Sequence, residues 1–186
     1  MRLLISISDV IKIPLFTTAL PIGNKAVSLP MKRPKYELSS NADFTVFGFV
    51  STGAYGRIPK AIKYTPTLNK DVYNLGFGTI ISNNAETGEL EIDDTSTNGN
   101  ADLQMILATV FRSMHAFTEA HPKSYVLFGS SDPAKMRLYR MALSKNYNLV
   151  SKTFHLFGAV HNAKGQLVNV PFDLKANVEG FFIKRR

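Results

Sequence analysis

The sequence predicts an α+β domain, a mixed and mostly antiparallel sheet with two main helices packed on it. Three observations predict it. Glycine-punctuated β-type segments fill the stretch from Phe44 to Ile92. Two helix patterns flank a short apolar run between Asn98 and Arg140, and β-type segments return from Leu149 to the C-terminus. Strands grouped apart from helices in this way are the order of an α+β fold.

The β-type elements follow in chain order. Phe44–Val50 is an apolar run that ends at the turn Ser51-Thr52-Gly53-Ala54-Tyr55-Gly56. Arg57–Tyr64 alternates polar and apolar residues, as a half-buried antiparallel strand does, and it puts Lys60 and Lys63 on opposite faces. Pro66 and Asn69 mark the next turn. Val72–Ile81 is a third strand, whose Gly76 and Gly78 point to a bulge or a close backbone approach. Asn83–Gly88 turns the chain into Leu90-Glu91-Ile92, an edge-like strand ending at Asp93-Asp94.

The firmest element is a helix. Leu103, Ile106, Leu107, Val110, Phe111, Met114 and Phe117 recur at steps of three and four, the spacing of one apolar helix face. Asn98-Gly99-Asn100-Ala101-Asp102 precedes it as a turn dipeptide followed by residues suited to N-capping. His121-Pro122 ends it, because proline disfavours helical geometry in the residue before it. His115 falls on its polar flank. Ser124–Phe128 is short and apolar, a buried strand. Gly129-Ser130-Ser131-Asp132-Pro133 then turns into a second helix, with Asp132 as N-cap and Pro133 at the first helical position. Leu149–Val160 reads as the next strand, Ala163-Lys164-Gly165 as a hairpin tip, Leu167–Phe172 as its return, and Val178–Ile183 as the strand that closes the sheet.

Residues 1–40 stand apart, with four prolines and the basic cluster Lys32-Arg33-Pro34-Lys35. They read as an N-terminal extension or linker, and 41–186 as a single domain. The N-terminal apolar run is broken by Asp9 and Lys12, well short of a membrane span or a secretory core. Cysteine is absent, which excludes disulfides, thiolate metal sites and a cysteine nucleophile. The four histidines show no paired spacing, so no metal is expected. A cytoplasmic protein without membrane association is the expectation. The net charge of +8 and pI near 9.7 suit an anionic partner, a small molecule or nucleic acid.

Candidate site residues cluster at the two helix starts. Backbone N–H groups at a helix N-terminus, with cations nearby, can hold a phosphate or carboxylate. This singles out Asn98, Gly99, Asn100 and Ala101 before the first helix. Before and on the second it singles out Gly129, Ser130, Ser131, Arg137 and Arg140, with Lys135 beside them. Asp94 is a candidate base near the Asn98 turn, against the plainer reading of a solvated strand end. Tyr139 is a candidate site residue, against a core role beside Met136 and Leu143. A basic binding surface is the competing assignment. It would use Lys32, Arg33, Lys35, Arg57, Lys60, Lys63, Lys135, Arg137 and Arg140, with Tyr55, Tyr64 and Tyr139 for stacking.

Several of these segments together resemble an uncharacterised bacterial family catalogued as a domain of unknown function (DUF 6934-like). They are Tyr73-Asn74-Leu75-Gly76-Phe77-Gly78, Ile92-Asp93-Asp94, Asn98–Asp102, Leu107-Ala108-Thr109-Val110, and Gly129-Ser130-Ser131 through Arg137-Leu138-Tyr139-Arg140-Met141. The likeness spans about Phe44 to Arg185. Thr79 stands where the family pattern has an acid, and Lys135 where it has the first arginine. The resemblance implies no activity. The order of elements is also similar to the Gcn5-related N-acetyltransferase fold, whose Arg/Gln-x-x-Gly-x-Gly/Ala signature is absent here. That likeness implies an acyltransferase-like fold. Its cofactor would be acyl-coenzyme A, with the pyrophosphate on Gly99, Asn100 and Ala101 and Tyr139 as general acid. A non-enzymatic module binding nucleic acid or protein, from a bacterial mobile element or defence system, is the alternative.

Overall fold

A computed structural model describes residues 35–83, 90–94, 100–173 and 175–186. The chain forms an α+β fold, a mixed, mostly antiparallel sheet with two helices. In chain order the elements are β1 (Ser39–Ser40), β2 (Val46–Gly53), β3 (Gly56–Pro66), β4 (Val72–Asn83), β5 (Leu90–Asp93), α1 (Leu103–Ala120), β6 (Tyr125–Gly129), α2 (Pro133–Val150), β7 (Phe154–His161), β8 (Leu167–Pro171) and β9 (Gly180–Arg185). The strands stand in the order β1-β2-β3-β4-β6-β9-β7-β8, with β5 on β4 off this path.

One pairing is parallel, β4 with β6, and it lasts three residues: Val72, Tyr73 and Asn74 against Tyr125, Val126 and Leu127. Further along β4, Thr79 pairs with Lys60 of β3 and also with Asp93 of β5. β5 therefore lies on the same edge of β4 as β6. Between them, Leu75–Gly78 on that edge faces no paired strand among the described residues. The sheet splays there.

The directions of the strands place the helices. β6 is antiparallel to β9, and β9 is antiparallel to β7, so β6 and β7 run parallel. α2 thus bridges the parallel strands β6 and β7 and runs against them, whereas α1 leads from β5, which is antiparallel to β4, into β6, which is parallel to it. Both helix N-termini lie at the carboxyl ends of β4 and β6, beside the splay. Tyr73 packs on Phe117 of α1, and Phe77 and Phe128 pack on Tyr139 of α2, so both helices cover one face. That face carries the core, including Phe47, Phe49, Ile62, Tyr64, Val126, Phe181 and Ile183. Tyr64 stacks on Phe117 with ring centroids 4.1 Å apart.

Local chemistry explains most boundaries. Asp132 caps α2, its carboxylate accepting from the Ala134 N–H at 2.8 Å, and Pro133 opens the helix as expected. Gly165 takes a left-handed φ of 71° at the β7–β8 hairpin tip. Gly78 is required by close approach, since a Cβ there would overlap the Asp93 carbonyl. The register shift in β4 lies at Ile80–Ser82 and not at the glycines.

Four expectations differ. The segment from Leu149 does not start a strand; α2 runs to Val150, because Met136, Leu143 and Val150 repeat at seven residues on its buried side, and the strand begins at Phe154. Asp102 sits at the N-cap of α1, but its side chain makes no cap bond, since its carboxylate accepts from Ser51 and Tyr36 instead. His115 is not on a polar flank but is buried edge-on against Phe111 and Phe154. Within the segment read as a linker, Leu38 enters the core, the Tyr36 N–H bonds Thr109 Oγ1 at 2.9 Å, and Ser39–Ser40 pairs with β2. Most of the Asn83–Gly88 turn lies outside the described residues.

Two predictions follow from these contacts. Gly78→Ala must push β5 away from β4, so unfolding in urea should show a loss of about 1–3 kcal/mol, the range for overpacking. An unchanged midpoint would mean that β5 yields freely. His115, driven down to about 4 by burial and then by the Arg185 charge, excludes a proton that the unfolded chain accepts below its ordinary 6.5. Its contribution is whole above pH 6.5 and is lost as pH falls to about 4, at up to about 1.4 kcal/mol per pH unit. Urea midpoints measured at pH 7.5 and 4.5 should therefore converge in His115→Leu relative to the native protein.

Candidate site: a cleft between diverging strands

At the splay, β4, β6 and the two helices enclose a cavity of about 230 Å³. Its walls are mostly apolar: Leu75 and Phe77 from β4, Leu107 and Phe111 from α1, Leu138 and Ala142 from α2. Asp94, Gln104, Ser130, Lys135 and Tyr139 supply polar groups at the end where both helices begin, and Lys145 and Asn146 add two more toward the C-terminal end of α2. This is where open sheets with parallel strands offer a crevice, outside the strand carboxyl ends where neighbours diverge.

Of the residues singled out from sequence, Asp94, Gly129, Ser130 and Tyr139 line this cavity together. Tyr139 is half-buried, its ring against Phe77 and Phe128, so it belongs to both the core and the cleft wall. Burial first, then Asp94 and Asp132, raises its hydroxyl above the ordinary tyrosine value. Tyr139 therefore stays protonated and can donate. Asp94 is exposed at the end of β5, and its backbone carbonyl accepts from Lys135 Nζ, which ties β5 to the first turn of α2.

The turn before α2 bonds largely within itself. Asp132 N–H donates to Ser130 Oγ at 3.1 Å, the Ser130 N–H meets Met136 Sδ at 3.3 Å, and Asp132 adds a carboxylate. Ser131 and Arg137 are exposed and do not line the cavity. Arg140 does not line it either; it is half-buried on α2, and its Nε is buried without a partner.

Asn100 serves the scaffold. Only 4% exposed, it donates to Ser51 Oγ at 2.9 Å and Gly56 O at 3.3 Å, and it accepts from the Tyr55 N–H at 2.8 Å. Its side chain clamps the β2–β3 hairpin to the start of α1. Gly53 permits this, since a Cβ there would overlap the Asn100 carbonyl. Ala101 is exposed with a φ of 55°, a left-handed conformation that costs energy for a residue with a Cβ. Asn98 and Gly99 lie outside the described residues.

A polar cluster next to this clamp, with Ser51 and Lys60 buried and Tyr36 and Asp102 half-buried, has no plain sequence signal. Ser51 Oγ donates to Asp102 at 2.6 Å, and Tyr36 Oη donates to the same oxygen at 2.7 Å. Lys60 lies inside, 6% exposed, with Nζ donating to Thr79 Oγ1 at 3.1 Å. Burial lowers its basicity, while Asp102 and Asp93 oppose that shift. The strand period puts Lys60 on the face of Ile62 and Tyr64, which was the available warning. Lys63, on the opposite face, donates to the Leu90 carbonyl at 2.8 Å. The cations of the proposed basic surface are thus dispersed, and Lys32 and Arg33 lie outside the described residues.

No helix among the described residues is long and apolar enough to cross a membrane, and no cluster of three or more metal-ligating side chains occurs among them. No curated protein and no solved structure matches the chain. The model of a family of unknown function, DUF6934, matches residues 32–186, which takes in the strands, the cleft and both helices. The chain belongs to that family.

Proposed function

We propose that the cleft between β4 and β6 binds a phosphate-bearing acyl carrier of the acyl-coenzyme A kind, and that the protein is an acyltransferase-like enzyme. The observation that carries this reading is the splay itself. It opens an apolar cavity whose mouth holds a protonated tyrosine, a carboxylate and two helix N-termini. Helix N-termini favour phosphate at the mouth, and the apolar interior favours the acyl group. The edge of β4 at Leu75–Gly78, which faces no paired strand among the described residues, suits the amide groups of the carrier's arm, as strand edges suit extended amide chains.

The chemistry would be acyl transfer. An acceptor amine or hydroxyl attacks the thioester carbonyl, and Asp94 takes its proton. The C–S bond then breaks, and Tyr139 gives its proton to the departing thiolate. Ala101 would face the phosphates, with Arg137 on the exposed side of α2 as a further contact. Asn100 would act by holding the turn through its side chain, and Ser131 and Arg140 from outside the cavity. The competing reading, a non-enzymatic module for nucleic acid or protein, is disfavoured by cations that do not converge: Lys60 is internal and Lys63 is bonded to Leu90.

Thermal unfolding with ~1 mM acetyl-coenzyme A, ATP or a short nucleic acid separates these readings. A ligand at 100 times its dissociation constant adds about 2.7 kcal/mol. Stabilisation by the coenzyme, reduced in Arg137→Ala and kept in Tyr139→Phe, is expected. With an acceptor present, Tyr139→Phe should lower turnover on the order of 100-fold while leaving binding intact. A salt-sensitive shift with nucleic acid alone would sink the acyltransferase reading.

A further inference from the structure

We propose that the α1–α2 cavity is a chamber for a straight, medium-length alkyl chain, so that the acyl group carried is nearer eight carbons than two. This rests on the reading of the cleft given above and adds which ligand that cleft selects. Three observations carry it: the size of the cavity, its shape and one exposed methionine.

The volume is about 230 Å³. An apolar cavity of about 150 Å³ lined by aliphatic and aromatic side chains accommodates benzene. The space here is half as large again, and an acetyl group would leave most of it empty. Unfilled apolar volume forfeits contacts on every wall, which favours a ligand that fills it.

The lining residues also run lengthwise. On α1 they extend from Gln104 to Met114, about 15 Å of helix, and on α2 from Lys135 to Val150, about 22 Å. The two helices run parallel, so the slot follows both axes away from the polar mouth. A volume of this size spread over such a length suits a chain and excludes a bulky ring. Carbonyl chemistry at Tyr139 and Asp94 would then leave the tail pointing inward, past Leu107 and Ala142, toward Met114 and Val150, with Lys145 and Asn146 as the polar groups lining that part of α2.

The third observation is Met141, which lines the slot yet is 58% exposed. An unbranched, polarizable thioether adapts to a sliding chain better than a branched side chain does. A ligand tail would cover apolar surface that the protein leaves open to water.

The test is calorimetric titration of the full chain with coenzyme A, acetyl-, butyryl- and octanoyl-coenzyme A, and sodium octanoate. Each CH2 moved from water into the slot is worth about fourfold in affinity. Octanoyl-coenzyme A is expected to bind at least about 30-fold tighter than the acetyl form, allowing for partial burial. Ala142→Leu narrows the slot and should lower the ratio of octanoyl- to acetyl-coenzyme A affinity to within about twofold of unity. Its fold is checked by a thermal midpoint that holds or rises. Equal affinity for all thioesters and for coenzyme A itself would overturn the chamber and leave the cleft reading standing. Octanoate binding that Ala142→Leu removes, with no binding of any thioester, would keep the chamber and overturn the coenzyme reading. Absence of binding to every probe would overturn both.

Discussion

Three rungs of parallel pairing between β4 and β6 govern the rest of the structure. Parallel neighbours need a crossover, and β5 followed by α1 supplies it. Because β7 also runs parallel to β6, α2 is a crossover of the same sense, and the two helices start at one end of the sheet. Had the pairing continued past Asn74, the sheet would be closed there and Leu75, Phe77 and Phe128 would meet as ordinary core. Its early end leaves an edge, a cavity and two helix N-termini in one place.

The polar cluster around Asp102 steadies that arrangement. It joins β2 through Ser51, the segment before β1 through Tyr36, and the start of α1 through Asn100. A lysine placed inside a core is costly unless charge and hydrogen bonds compensate it. Here Thr79 accepts from Lys60, and Asp102 and Asp93 supply opposite charge. Loss of the Asp102 carboxylate would remove the acceptor of Ser51 Oγ and a charge that favours the ionised form of buried Lys60. Its place beside the helix start gives the cleft a rigid shoulder. The opposite wall is held through Lys135 and the Asp94 carbonyl.

Much of the scaffold was legible because its signals are local. The steps of three and four from Leu103 to Phe117 mark α1, and proline after His121 marks its end. Asp132-Pro133 marks the start of α2, and Ala163-Lys164-Gly165 the hairpin between β7 and β8. Part of the candidate site was also legible, since Asp94, Gly129, Ser130 and Tyr139 were singled out and share one cavity wall. The errors arose where a distant partner overrode a local preference. Asp102 has the chemistry of a cap, yet Ser51 and Tyr36 compete for its carboxylate. Leu149-Val150 has strand-like residues, yet the buried side of α2 retains them.

By itself the sequence determined the elements, their caps and turns, the apolar faces and the residues able to do chemistry. All of these follow from side-chain preferences and spacing within a few residues of one another. The tertiary structure alone decided that β9 lies between β6 and β7, that Leu75–Gly78 of β4 pairs with no strand among the described residues, and that Lys60 and His115 are buried. It also decided that the two helices bound an elongated cavity. Strand order and enclosed volume depend on contacts between residues tens of positions apart, and such contacts leave no periodic mark in the chain.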